Sequence, residues 1–198
     1  MARGHSRNKY DVVFALFSLV LGMLMGWLAY DLGGSGVIGA MIANWGIWIF
    51  TSALLAYHSQ SGLGAALNTF LYFAGVVLAY YTHFSLAGGA IGVGTFIRPL
   101  ILAAIGALLG FLTWHAGARE WLGAICAAVP ISLLVAEGYP IYHSRSMSLA
   151  FDIICAIILY LLLCNGKVQR LMALPFIIIF VVALVYFDAF ARIFGGWI

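Results

Sequence analysis

The sequence predicts an all-α membrane protein crossing the bilayer about seven times. Two observations carry that fold class. The chain of 198 residues is 65% hydrophobic and only 8% charged, whereas an ordinary soluble domain is about 25% charged. Long apolar runs, each close to the roughly 20 residues that span a bilayer as helix, recur with short polar or glycine-rich breaks between them. A soluble fold this apolar could not cover its surface with polar groups, so the expected solvent is lipid.

The runs fall at about residues 11–31, 36–57, 62–83, 97–115, 120–138, 147–165 and 170–194, after a short basic N-terminus, 1–10, carrying Arg3, Arg7 and Lys9. The breaks are Gly33-Gly34-Ser35, His58-Ser59-Gln60-Ser61, Ala87-Gly88-Gly89, Ala116-Gly117-Ala118, Tyr139-Pro140 and Asn165-Gly166-Lys167. Backbone that leaves a helix exposes unpaired N–H and C=O groups, which hydrocarbon cannot satisfy, so such breaks belong at the interfaces. The runs are too long and too uniformly apolar for barrel strands, which alternate. The first run continues to Tyr30, too long for a cleaved secretory signal, and reads as a retained helix. With the N-terminus inside, Arg3, Arg7, Lys9, Arg119, Lys167 and Arg170 face the cytoplasm and only Arg98, Arg145 and Arg192 face out. Six against three predicts N-in, C-out in the inner, cytoplasmic membrane. The whole chain, 1–198, is expected to form a single transmembrane domain.

An internal repeat suggests itself at an offset of 84 residues (106 − 22). Gly22-Met-Leu-Met-Gly26-Trp-Leu28 falls on Gly106-Ala-Leu-Leu-Gly110-Phe-Leu112, Gly33 on Gly117, Gly39 on Gly123, Ala43 on Ala127, Ile47 on Ile131 and Asn68 on Asp152. Helix 1 enters from the cytoplasm and helix 4 from outside, so the match predicts a 3+3 inverted repeat of helices 1–3 and 4–6, with helix 7 added. Inverted halves are a common architecture of transporters that expose one site to either side.

Chemistry is expected from the few polar groups left in the apolar runs. Asn44, Asn68, Glu137 and Asp152 are the intramembrane candidates. A carboxylate at the bilayer centre costs about 2.5–3.5 kcal/mol on insertion scales, so such groups usually serve a bundle interior or a wet cavity. Asp152 is the deeper acid and the first choice. Arg98 and Tyr139 join Glu137 in an outward-biased set suited to a small polar solute. Gly46 and Pro130, also 84 apart, are candidate helix breaks: proline removes a backbone hydrogen bond, glycine weakens the same point, and interrupted helices at matched positions point to a transport site. Ala15, Ser18, Gly22 and Gly26 on helix 1, and Gly106 and Gly110 on helix 4, form small-residue faces. These either pack helices within the chain or dock a second copy or a transmembrane partner subunit. A headgroup-level position for the acids and a plain packing kink at Pro130 remain the bland alternatives.

Other functions find little footing. No basic cluster carries the features of nucleic-acid binding. Cys126, Cys155 and Cys164 show no metal spacing and read as small packing residues. The five histidines are scattered without a zinc pattern, no phosphate loop is present, and Gly34-Ser35-Gly36 is only a fragment of a serine-nucleophile pattern. The chain is thus expected to use no cofactor and no metal, and not to be an enzyme. It reads as a transporter or channel for a small polar solute or cation. The alternatives are a membrane-embedded binding subunit, and a membrane scaffold or lipid-acting enzyme.

Ile42-Ala-Asn44-Trp-Gly-Ile-Trp48, Gly75 to Tyr80-Tyr81, Gly110-Phe-Leu-Thr-Trp114, Leu122-Gly-Ala and Ala136-Glu137-Gly138 resemble segments of a family of bacterial multispanning membrane proteins with no assigned activity. The likeness runs over about residues 20–140 and implies fold and topology only. Ala15, Ser18 and Gly22 on a first helix are similar to the docking helix of substrate-binding S-components of energy-coupling-factor transporters. That resemblance implies an outer-facing ligand site and partner subunits.

Overall fold

The structure is a computed structural model, and it describes residues 3–89, 93–118, 120–138 and 147–187. Among these there are helices and turns but no strand. The helices are α1 (Arg3–Leu32), α2 (Gly36–Ala43), α3 (Trp45–His58), α4 (Gly62–Leu86), α5 (Val93–Trp114), α6 (Glu120–Gly138), α7 (Met147–Leu163) and α8 (Gly166–Tyr186). Five contain stretches long and apolar enough to cross a membrane: Tyr10–Leu32, Gly62–Leu86, Pro99–Gly117, Trp121–Gly138 and Gly166–Tyr186. A sixth crossing arises if the bent pair Gly36–Ile42 and Trp45–His58 is one span, and Leu149–Leu163 is a shorter apolar helix. The exposed side of α8 carries Val168, Leu171, Ile178, Ile179 and Val182, a contiguous aliphatic surface that water would not tolerate.

Several boundaries differ from those expected: α1 begins at Arg3, within the stretch 1–10 expected to be a basic N-terminal tail, α4 runs on to Leu86 and α5 begins at Val93. The second apolar run is not one helix but two, bent by 50° around Asn44. The last helix starts at Gly166 rather than near 170, because Gln169 turns back and its Oε1 accepts from the Asn165 N–H at 2.8 Å. That bond relieves one of the unpaired groups at a helix start. The charges of Lys167 and Arg170 made the first turn look like a loop. Arg170 instead caps α7, with Nε donating to the Cys164 carbonyl at 3.3 Å and Nη2 to that of Leu161 at 3.1 Å.

The chain groups into two compact units. The first comprises residues 1–43 and 52–114, with α4 as its central helix and α1 and α5 packed on it. Helix α4 begins where Ser61 takes the extended N-cap conformation and its Oγ accepts from the Gly64 N–H at 3.0 Å, as short hydroxyl side chains do at helix starts. It ends at Leu86, and Gly88 just beyond, with a φ of 88°, takes the left-handed turn that glycine adopts without strain. The α1–α4 contact is backbone on backbone. A Cβ on Gly22 would run into the Tyr72 carbonyl, one on Gly26 into that of Val76, and one on Gly75 into that of Leu19. Gly106 and Gly110 do the same for α5, lying against the Phe73 ring and the Thr69 side chain of α4.

The second unit comprises residues 44–51 and 115–198, and α6 is its centre, with α7 and α8 packed on it. One buried side chain ties its loops. Gln169 Nε2 donates to the Ala116 carbonyl at 2.8 Å while Oε1 holds Asn165, and Gly123 leaves the space that this amide fills. Replacing Gln169 with leucine removes both bonds and strands a buried carbonyl, which should cost about 1–3 kcal/mol. A lowered thermal midpoint of the detergent-solubilised variant checks this; an unchanged midpoint would show that the amide bonds are dispensable.

Candidate functional site: a broken helix facing two carboxyl groups

Helix α2 ends after eight residues at Ala43, and α3 restarts at Trp45 within the same apolar run. Such a break leaves the last carbonyls of one helix and the first amides of the next without intrahelical partners, in a region where water is scarce. The residues around the break answer that need. Asn44 is the kind of residue that favours a helix start. Its Oδ1 accepts from the Trp45 N–H at 3.0 Å, and its Nδ2 donates to Asp152 Oδ2 at 2.8 Å. Glu137, in the last turn of α6, presents its carboxyl group to the backbone amides of Trp45 and Gly46 and to the Asp152 carboxyl group. Asp152 comes from the second turn of α7. The start of α3 carries the positive end of a helix dipole, worth roughly half an elementary charge, and two acidic side chains are aimed at it.

Gly46 sets how closely they approach. A Cβ at this position would collide with Asp152 Oδ1, so only glycine lets the carboxyl group lie against the helix start. Asp152 is 0% exposed. Its Oδ1, and both carboxyl oxygens of Glu137, are buried without a hydrogen bond of standard geometry. Buried polar atoms are ordinarily paired, and these three are acceptors if both acids are ionised. No lysine or arginine occurs in α3, α6 or α7. Among the described residues the arrangement therefore has more acceptors than donors and no lysine or arginine beside it, and a proton, a cation or a small donor group would satisfy it.

Four of the residues singled out in the sequence thus meet here: Asn44, Gly46, Glu137 and Asp152. Asn68 does not join them. It belongs to the first unit, where its Nδ2 donates to Ser59 Oγ at 2.9 Å, and Ser59 in turn donates to the Leu55 carbonyl at 2.7 Å. The Trp114 indole completes that knot by donating to the Ser59 carbonyl at 2.9 Å. Pro130 does not break its helix: α6 runs through it. A single missing N–H costs one bond, and the rest of the ladder continues. The break expected at Gly46 lies two residues earlier, at Asn44, with Gly46 already inside α3.

The small-residue faces are filled from within. Gly22 and Gly26 are closed by α4, Gly106 and Gly110 likewise. Ser18 is fully buried with its hydroxyl on the Phe14 carbonyl at 2.9 Å, and Ala15 is half-buried. The space at each of those glycines is thus taken by α4 of the same chain. Arg98 lies in α5 with its side chain outside the described residues, as is Tyr139.

Sequence reasoning missed the role of the Trp45 and Gly46 amides. The signal was available: an asparagine ahead of Trp-Gly inside an apolar run marks a helix start rather than a helix interior. Among the described residues no group of three or more His, Cys, Asp or Glu side chains is placed to hold a metal ion. No protein-family profile matches the chain, and no curated protein or solved structure is significantly similar to it.

Proposed function

We propose that this chain is a small-solute or ion transporter of the cytoplasmic membrane, working through the cluster of Asn44, Gly46, Glu137 and Asp152. The observation that carries the reading is the pair of acids facing a mid-run helix break, with three buried oxygens unpaired. Ionisable groups retained inside apolar helices mark substrate and ion pathways more often than they mark structure. Broken helices whose ends face the ligand are the recurring device for binding it at membrane depth. A purely structural role for Asp152 would call for full pairing, which its Oδ1 lacks.

In this reading the chain forms one transmembrane domain of seven crossings with its N-terminus inside and its C-terminus outside. Helices 1–3 and 4–6 are inverted halves. Two features support it: the basic residues crowd the inner breaks, and helices 2 and 5, matched at the 84 offset, supply Asn44 and Glu137 to the same cluster. Asn44 follows eight residues of α2, about 12 Å of helix at 1.5 Å per residue. With helix 2 entering from outside, as in this reading, that length supports a cluster in the outer half of the membrane.

The test is flux in liposomes containing the purified chain, with protons, monovalent cations and small zwitterionic and cationic solutes offered in turn. Asp152→Asn keeps the shape and removes the charge, and it is expected to lower the flux at least tenfold. Wild-type protein that moves none of these, or a variant as active as wild type, defeats the reading.

A further inference from the structure

The geometry points to a single proton held between Glu137 and Asp152 and exchanged with water as the transporter works, so that the acid pair is the proton-coupling site. This rests on the transport reading above and names the ion that drives it.

The argument is one of donors and acceptors. If both side chains were ionised, Asp152 Oδ1 and both Glu137 oxygens would be buried acceptors without a hydrogen bond of standard geometry, and two like charges would lie within electrostatic reach of each other in a medium of low dielectric constant. Neighbouring carboxyl groups in that situation do not both stay ionised. One proton resolves most of the deficit. Placed on Glu137, it turns one buried acceptor into a donor beside Asp152. The second Glu137 oxygen stays towards the amides of Trp45 and Gly46. Asp152 Oδ2 keeps its bond from Asn44 Nδ2 at 2.8 Å, and the one remaining negative charge sits at the positive end of α3. Asp152 is wholly buried and its unpaired oxygen lies against Gly46, so the spot is closed to anything that needs a Cβ-sized space there.

Among the described residues, the surrounding elements place no lysine or arginine beside the pair; His143 and Arg145, between α6 and α7, lie outside the described residues. On α3 the titratable side chains are Tyr57 and His58, at its far end; on α6 they are Glu120, also at the far end, and Cys126; on α7 they are Cys155 and Tyr160. Cys155 lies within electrostatic reach of Asp152 and is not a cation in either form. Arg170 of α8 is bound to the opposite end of α7. The proton enters from hydronium in the outer water, releasing a water molecule, and it leaves by transfer to water again, so no other reactant is needed.

Infrared spectroscopy of the full chain in lipid at neutral pH tests this without any flux. The expected result is a carbonyl stretch of a protonated carboxyl group that shifts in heavy water and is lost in both Glu137→Gln and Asp152→Asn. In each variant the new amide donates where the proton did, and the remaining carboxylate stays ionised. Three results overturn the inference: no protonated-carboxyl band in wild type, a band that survives in both variants, or a wild-type band abolished by sodium at constant pH. The last would show a metal cation in the proton's place. The wild-type spectra alone decide it should either variant fail to fold. A band that behaves as expected in a chain that moves no solute refutes transport and leaves the shared proton standing. Flux without a band refutes the shared proton alone.

Discussion

A Gly22→Val chain is expected to lose the packing of α1 on α4, with a loss of stability of about 3 kcal/mol, the upper end of what overpacking costs. At this position even a Cβ meets the backbone carbonyl of Tyr72. Backbone cannot rotate out of the way as the tip of a side chain can, so α1 must move bodily. Gly26 and Gly75 are interlocked with the same pair of helices, against Val76 and Leu19, so a shift at one glycine spoils the fit at all three. Lipid chains are as apolar as the helices themselves, and close backbone packing is what holds helices together there. The thermal midpoint in detergent should fall sharply for Gly22→Val and for Gly26→Val. Gly34→Ala, where the space around the glycine is open, should leave it unchanged. Equal midpoints for all three chains would show that α1 and α4 do not meet through these glycines.

The second large effect is expected at the site. Gly46→Ala places a methyl group where Asp152 Oδ1 lies. The carboxyl group has little room to retreat, because α6 and α7 are themselves close: a Cβ on Gly138 would press on Ile153. Asp152 must rotate away and surrender the bond from Asn44, a charge-assisted contact worth about 1.5–3 kcal/mol. Solute flux should fall at least tenfold in a chain that still folds. The protonated-carboxyl band should weaken or move as the pair separates. Gly117→Ala, also in open space, serves as the control. Full activity in Gly46→Ala would mean that the carboxyl group does not work against the start of α3.

Much of the site was legible before any coordinates. Asn44, Glu137 and Asp152 stood out because polar side chains are costly in apolar runs, and Gly46 because glycine weakens a helix. Asn68 stood out for the same reason, yet it serves a local knot with Ser59 and Trp114. Polarity marks a residue as needing a partner and does not say which partner. Pro130 shows a similar limit, since a helix can lose one hydrogen bond and continue. The glycine stripes were ambiguous between internal packing and docking because spacing defines a face and leaves its neighbour open; the neighbour is α4.

Composition and periodicity determined by themselves that the chain is helical and apolar enough for a membrane, and roughly where its helices run. These are properties of each stretch against its solvent, and they need no knowledge of the rest. Only the tertiary structure decided that residues 44, 46, 137 and 152 converge while residue 68 goes elsewhere, and that the second run breaks at Asn44. Convergence depends on which helix faces lie together. That is set by close packing at individual glycines, where a single methyl group decides whether two backbones can touch.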